Sequence, residues 1–161
     1  MITGSGAGIG KAIAYRFAEA GADLELVDIN ELSLNTVKKE LENLFDVEIN
    51  IHKVDLSKKE EIDRLWKKLE GKEPDILINN AGIYPIKPFL DTDEAFLEKV
   101  MNINLNSVFW MCQHMIKSRI KKRWSNHKYG LHRSNTTVQR RTVPLRHQQS
   151  RSYGFHKSLS Q

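Results

Sequence analysis

Apolar positions in the first 122 residues change period several times along the chain. Asp23-Leu24-Glu25-Leu26-Val27-Asp28 reads as a strand, and Val47 to Val54 reads as another. Between them, Leu32, Leu34, Val37, Leu41 and Leu44 fall near helical spacing and predict a helix from Glu31 to Phe45. A second helix is predicted from Ser57 to Leu69, with Ser57 as its cap and Glu60 three residues on, the signature of a capping box. Ile76-Leu77-Ile78, after Pro74, predicts a short buried strand. From Thr92 to Ile120, the positions Phe96, Val100, Val108, Met111, Met115, Ile116 and Ile120 predict a short helix leading into a long one. Strand and helix in alternation imply an α/β fold: a doubly wound parallel sheet with right-handed crossovers, covered on both faces.

Past Lys122 the periodicity stops. Residues 123–161 contain eight Lys and Arg and no Asp or Glu, whereas residues 1–122 hold the other 17 basic and all 20 acidic residues, a net of −3. The overall charge of +5 is therefore carried by a segment rich in Arg, His, Gln, Ser and Thr, which is expected to be a disordered basic tail beside a single domain of residues 1–122. Eight cations would be enough for salt-dependent, unspecific nucleic-acid binding. Cys112 is the sole cysteine, so a disulfide framework and a cysteine metal cluster are excluded. Without a signal-peptide pattern or a run of apolar residues long enough to span a bilayer, the expectation is a cytoplasmic protein that makes no membrane contact.

The candidate chemistry begins at Thr3-Gly4-Ser5-Gly6-Ala7-Gly8-Ile9-Gly10, which is followed by the apolar run Ile13, Ala14, Phe17 and Ala18. This is a glycine turn opening a helix. A pyrophosphate needs backbone N–H groups and the positive end of a helix, and residues without Cβ let the backbone approach it. Such turns also serve as plain connectors between strand and helix. In a dinucleotide-binding unit, the second strand ends in an acid that accepts from the adenosine ribose; Asp28 stands there, 18 residues past Gly10. Its charge would repel the extra phosphate of NADP and so points to NAD. An acid at that place can also start an Asx turn or cap the helix at Glu31.

With these features the chain resembles the short-chain dehydrogenase/reductase family over residues 1 to about 122. The family's Thr-Gly-x-x-x-Gly-x-Gly turn is met by Thr3 to Gly10, and its Asn-Asn-Ala-Gly by Asn79-Asn80-Ala81-Gly82. Its acid and apolar residue after the third strand are met by Asp55-Leu56, although Asp55 read alone could equally cap a helix. Its Asn-x-Asn-Leu is met by Asn102-Ile103-Asn104-Leu105. The resemblance implies a Rossmann-type sheet and hydride transfer between NAD(P) and a small-molecule alcohol or ketone, with 3-oxoacyl-carrier-protein reductases as the default. Intact relatives are usually homo-oligomers. It assigns Gly4, Ser5, Gly6, Gly8, Ile9, Gly10, Asp28, Asp55, Leu56, Asn80, Ala81 and Gly82 to the cofactor and Asn104 to catalysis.

The family's remaining chemistry is a tyrosine general acid/base, a lysine four residues later that lowers its pKa, and a serine about 13 residues earlier. Tyr153 and Lys157 have the tyrosine–lysine spacing, but they lie late for the family and follow no strand ending in serine. The codons offer another source. Read one nucleotide later from about codon 123, residues 123–131 permit Gly-Gly-Val-Ile-Ile-Asn-Met-Ala-Ser, and residues 145–149 permit Tyr-Val-Thr-Ser-Lys. A frameshift near Lys121-Lys122 is therefore expected, and it accounts for the basic tail without selection for charge. The first strand, with only Met1-Ile2 ahead of Thr3, is expected to be clipped and the sheet weakened. The 161-residue chain is accordingly expected to keep nucleotide contacts and to lack turnover.

Overall fold

The structure is a computed structural model that describes residues 1–128, and the side chains of residues 1–121. Tyr153, Lys157 and the expected disordered tail beyond residue 128 lie outside the described residues, whereas residues 123–128, expected in that tail, continue a helix. In chain order the elements are β1 (Ile2–Thr3), α1 (Gly8–Glu19), β2 (Leu24–Asp28), α2 (Glu31–Glu42), β3 (Ile49–Lys53), α3 (Lys59–Lys68), a 3₁₀ turn (Phe89–Asp91), α4 (Glu94–Met101), a π-helical turn (Asn102–Asn106) and α5 (Ser107–Lys128). The strands are parallel in the order β1-β2-β3, with Ile2 opposite Leu26 and Leu24 opposite Ile49.

Alternation along the strands divides the core into two layers. Ile2, Leu24, Leu26 and Ile49 face one side, where Ala14 and Ala18 of α1 and Leu34, Val37 and Leu41 of α2 cover them. Met1 and Val27 face the other, against Ile62, Leu65 and Trp66 of α3 and Met111 of α5. Each aliphatic side chain buried in these layers contributes about 1.5–3 kcal/mol through apolar area removed from water. Gly10, Ala14 and Ala18 form the buried stripe of α1. Small side chains four residues apart bring this helix close to the sheet, which sets its N-terminus near the ends of β1 and β2.

Two local expectations are corrected. Ser57 does not cap α3: the cap position is Lys58, without a side-chain cap bond, and the Ser57 hydroxyl donates to Asp55 Oδ1 at 2.7 Å instead. A nearer carboxylate outcompetes the helix amides for that hydroxyl. The strand expected at Ile76–Ile78 is reduced to one parallel bridge, Ile2 to Ile78, and Ile76 is 54% exposed rather than buried. Ile78 N–H donates to Met1 O (2.9 Å) and Thr3 N–H to Ile78 O (3.0 Å), but β1 offers only Ile2 and Thr3, too few partners for a longer ladder.

α2 begins at Asn30, whose Oδ1 accepts from Ser33 N–H, and α4 begins at Asp93, which accepts from Phe96 N–H. α5 runs through to Lys128, past Lys122. Among the described residues no helix is long and apolar enough to cross a membrane, and no group of three or more His, Cys, Asp or Glu is placed to hold a metal.

Candidate functional site

The glycine turn is locked from below. Gly4 has φ +64°, and a Cβ there would lie 2.9 Å from Ala81 Cα. At Gly10 the constraint is tighter: a Cβ would lie 2.1 Å from Gly4 O and 2.6 Å from Asn80 Nδ2, so only glycine fits. Ser5 is fully buried, and both its N–H (3.2 Å) and its hydroxyl (3.3 Å) donate to Val27 O. Gly6 N–H donates to Asp28 Oδ2 at 2.9 Å. These bonds fasten the turn to the end of β2.

Above the turn the arrangement opens. Nothing lies within 4 Å of a Cβ built at Gly8, and Ile9 is 74% exposed. The cap residue Ala7 makes no side-chain cap bond, and the first turn of α1 carries no acid. The helix thus presents its first amides and its positive end to open space, the environment an anion requires.

A second wall comes from residues 79–83. Thr3 Oγ1 accepts from Asn80 N–H (3.0 Å) and Ala81 N–H (3.1 Å), and Asn80 Nδ2 donates to Thr3 O (3.0 Å) and Gly4 O (3.2 Å). Asn79 Nδ2 approaches Cys112 Sγ of α5 at 3.4 Å. Asn104, in the π-helical turn, holds both backbone polar groups of one residue: its Oδ1 accepts from Ile83 N–H and its Nδ2 donates to Ile83 O, each at 2.8 Å. π-turns within helices recur at functional sites, because the extra residue re-aims the chain locally.

The third wall follows β3. Asp55 Oδ1 accepts from Ser57 N–H (3.0 Å) and the Ser57 hydroxyl (2.7 Å), and Lys58 Nζ stands 3.4 Å from its other oxygen. Burial pushes the Asp55 carboxyl upward, but the hydrogen bonds from Ser57 and the pairing with Lys58 outweigh it and hold Asp55 below its ordinary value. Asp28 Oδ1 accepts from Asn30 N–H at 3.0 Å, so Asp28 starts an Asx turn while Asn30 caps α2.

These walls enclose a groove of about 310 Å³. Of the expected site residues, Gly4, Asp28, Asp55, Leu56, Ala81 and Gly82 line it. Gly6, Gly8, Ile9 and Gly10 form the turn and the helix start beside it, and Asn104 braces its edge. Ser5 and Asn80 spend their side chains on the frame beneath. Ile29, Val54, Ile83, Lys99 and Ile103 also line the groove and were not singled out from the sequence, nor was the bridging role of Thr3. Position beside a motif was the only available signal for most of them. Donor amides at a helix start, a strand-end carboxylate and an apolar floor suit the phosphates, ribose and base of a dinucleotide.

The family model for short chain dehydrogenase matches residues 1–126. The chain belongs to the short-chain dehydrogenase family. Among relatives of the chain is a protein named 3beta-hydroxysteroid dehydrogenase 2 from Eggerthella lenta, 37% identical over 113 residues, covering 68% of this chain and 43% of the relative. A 3-oxoacyl-[acyl-carrier-protein] reductase from Aquifex aeolicus is 32% identical over 126 residues, covering 77% of this chain and 51% of the relative. The chain therefore spans about half the length of these relatives. L-sorbose reductase from Gluconobacter frateurii, solved with NADPH and L-sorbose, superposes with a TM-score of 0.69 at 26% identity over 73% of this chain and 45% of that one. The fold of the chain is accordingly the Rossmann-type α/β fold of that neighbour.

Proposed function

We propose that this chain is the dinucleotide-binding half of an oxidoreductase acting on an alcohol or ketone with NAD as cofactor. The observation that carries the reading is the groove itself, where Asp28, Asp55 and Leu56 stand along one side of an uncapped helix start. The first amides of α1 would hold the pyrophosphate, Asp28 the adenosine ribose, and Asp55 with Leu56 the adenine. Asn104, through Ile83, would keep the nicotinamide end of the groove in shape. Exchange of a hydride with a carbinol carbon or a carbonyl is the chemistry such a cofactor supplies when bound.

Asp28 supports NAD over NADP. A 2′-phosphate would stand against its carboxylate, and like charges at that separation are strongly unfavourable in a partly buried groove. The unaltered chain is expected to bind NADH at least about tenfold more tightly than NADPH, a difference of roughly 1.4 kcal/mol. Asp28→Ser is expected to erase most of that preference, as read by nucleotide fluorescence titration. Equal binding of both nucleotides by the unaltered chain would overturn the assignment of NAD.

Turnover needs a proton donor and acceptor beside the substrate oxygen, and in this family that is a tyrosine whose phenolate a lysine favours. The shifted reading frame past codon 122 permits both, together with the serine. The gene is proposed to encode an intact enzyme in that frame, with 3-oxoacyl-carrier-protein substrates as the default, a reading supported by the Aquifex aeolicus relative. The 161-residue chain is proposed to bind nucleotide without turnover, as a cytoplasmic protein. Sequencing the DNA across codons 118–150 tests this: a shifted frame lacking codons for the tyrosine and lysine rules the idea out.

A further inference from the structure

The loop that carries Asp55 is held from below by a residue with no contact to the groove. Glu61, in the first turn of α3, turns back out of its helix. Its Oε2 accepts from Asp55 N–H at 2.7 Å, and its Oε1 lies 3.5 Å from Lys58 Nζ. Lys58 in turn stands 3.4 Å from Asp55 Oδ2. A carboxylate three residues past a helix cap ordinarily reaches back to the backbone N–H of the cap residue itself. Here it reaches three residues further, to Asp55.

We infer that Glu61 is a positioning residue for the adenine end of the groove. The inference rests on the reading of the groove as a dinucleotide site. The physical ground is that Asp55 and Leu56 leave β3 as irregular backbone, tied before Asp55 by Val54 N–H to Asp28 O (2.9 Å), after it by Lys58 N–H to Asp55 O (3.0 Å), and by the burial of Leu56 in the core. Asp55 spends its carboxylate on Ser57 and Lys58 and its carbonyl on Lys58 N–H, so its own N–H is the remaining group through which α3 can set the peptide plane at Asp55. Glu61 supplies that acceptor from a rigid element, with a side chain that is only 28% exposed. A charge-assisted bond of this kind is stronger than a neutral one and directs the peptide plane at Asp55. Leu56, next in the chain, is thereby set against the groove.

The test compares the full chain with Glu61→Ala, Glu61→Asp and Glu61→Gln, each checked for folding by circular dichroism. The probes are ADP-ribose, which carries the adenosine, and nicotinamide mononucleotide, which lacks it; both compete against NADH fluorescence. Glu61→Ala removes the acceptor, and Glu61→Asp keeps the charge on a side chain too short to reach. Both are expected to weaken ADP-ribose about tenfold, the equivalent of one lost charged hydrogen bond, while leaving nicotinamide mononucleotide unchanged. Glu61→Gln keeps an acceptor oxygen and is expected to restore ADP-ribose binding to within about threefold of the unaltered chain. Should Glu61→Ala fail to fold, Glu61→Asp and Glu61→Gln decide the matter between them. Variants that bind ADP-ribose as the unaltered chain does, or that lose both probes equally, overturn the role of Glu61 alone. No ADP-ribose binding by the unaltered chain overturns the groove reading and this inference together.

Discussion

Gly10 shows how one missing methyl group holds a site together. A Cβ at this position would lie 2.1 Å from Gly4 O, so Gly10→Ala cannot be accommodated by a side-chain shift. The turn, Asn80 or the start of α1 must move. Overpacking of this kind costs about 1–3 kcal/mol and more where backbone is the obstacle. The expected outcome for Gly10→Ala is an unfolding free energy, read from urea denaturation, lowered by that amount together with loss of NADH binding. A variant of unchanged stability that still binds NADH would show that the turn is not rigid. Asp28 acts at the same scale through two bonds, one to Gly6 and one to Asn30. The proposed ribose recognition and the turn anchoring would thus share one carboxylate, and the neutral Asp28→Ser is expected to loosen the turn as well as relax the proposed cofactor preference.

At the scale of elements, the groove depends on α5 being held against α3. Trp66 stacks on His114 with ring centroids 5.6 Å apart and an angle of 8°, while its indole N–H points to Met111 Sδ at 3.2 Å. His114 Nε2 lies 2.8 Å from Asp63 Oδ1. Met111 is wholly buried in this layer. Removing a buried methionine to alanine costs about 2–5 kcal/mol, according to how far the surroundings collapse. Met111→Ala is therefore expected to lower the unfolding free energy by that amount in chemical denaturation. Because the π-helical turn bearing Asn104 leads directly into α5, the same variant is expected to weaken NADH binding as well. Unchanged stability would mean that α5 is not part of the cooperative core.

For the whole molecule, acid sensitivity follows from carboxylates held low. Burial alone would raise Glu25 on β2, but its hydrogen bonds with His52 and Asn50 outweigh that and hold it below its ordinary 4.5. Asp55 is held below its ordinary 3.8 by Ser57 and Lys58 against the effect of burial. With folded values lower than unfolded ones, this stabilisation is fully present above about pH 5 and is lost as the pH falls through the folded values. Glu25→Gln is expected to flatten the fall in urea midpoint between about pH 5 and 3, and an unchanged slope would refute the role of Glu25. Much of the fold was legible in the sequence. The periodic runs placed β2, α2 and β3 within a few residues and foresaw a short helix leading into a long one, although α5 runs past Ile120 to Lys128, because apolar spacing is a local property that any tertiary packing must respect. The glycine turn, Asp28, Asp55 and Asn104 were likewise legible as motifs. Ser57 misled because a capping signature is weighed only against the helix amides, whereas Asp55 competes for the same hydroxyl. Thr3 and Asn80 meet across 77 residues, and Glu61 reaches Asp55 only because α3 leaves β3 at a particular angle. By itself the sequence determined the alternation of elements and the residues available to a nucleotide. Tertiary structure alone decided which of them face the groove and which hold it, because that depends on contacts between segments whose mutual approach no local pattern encodes.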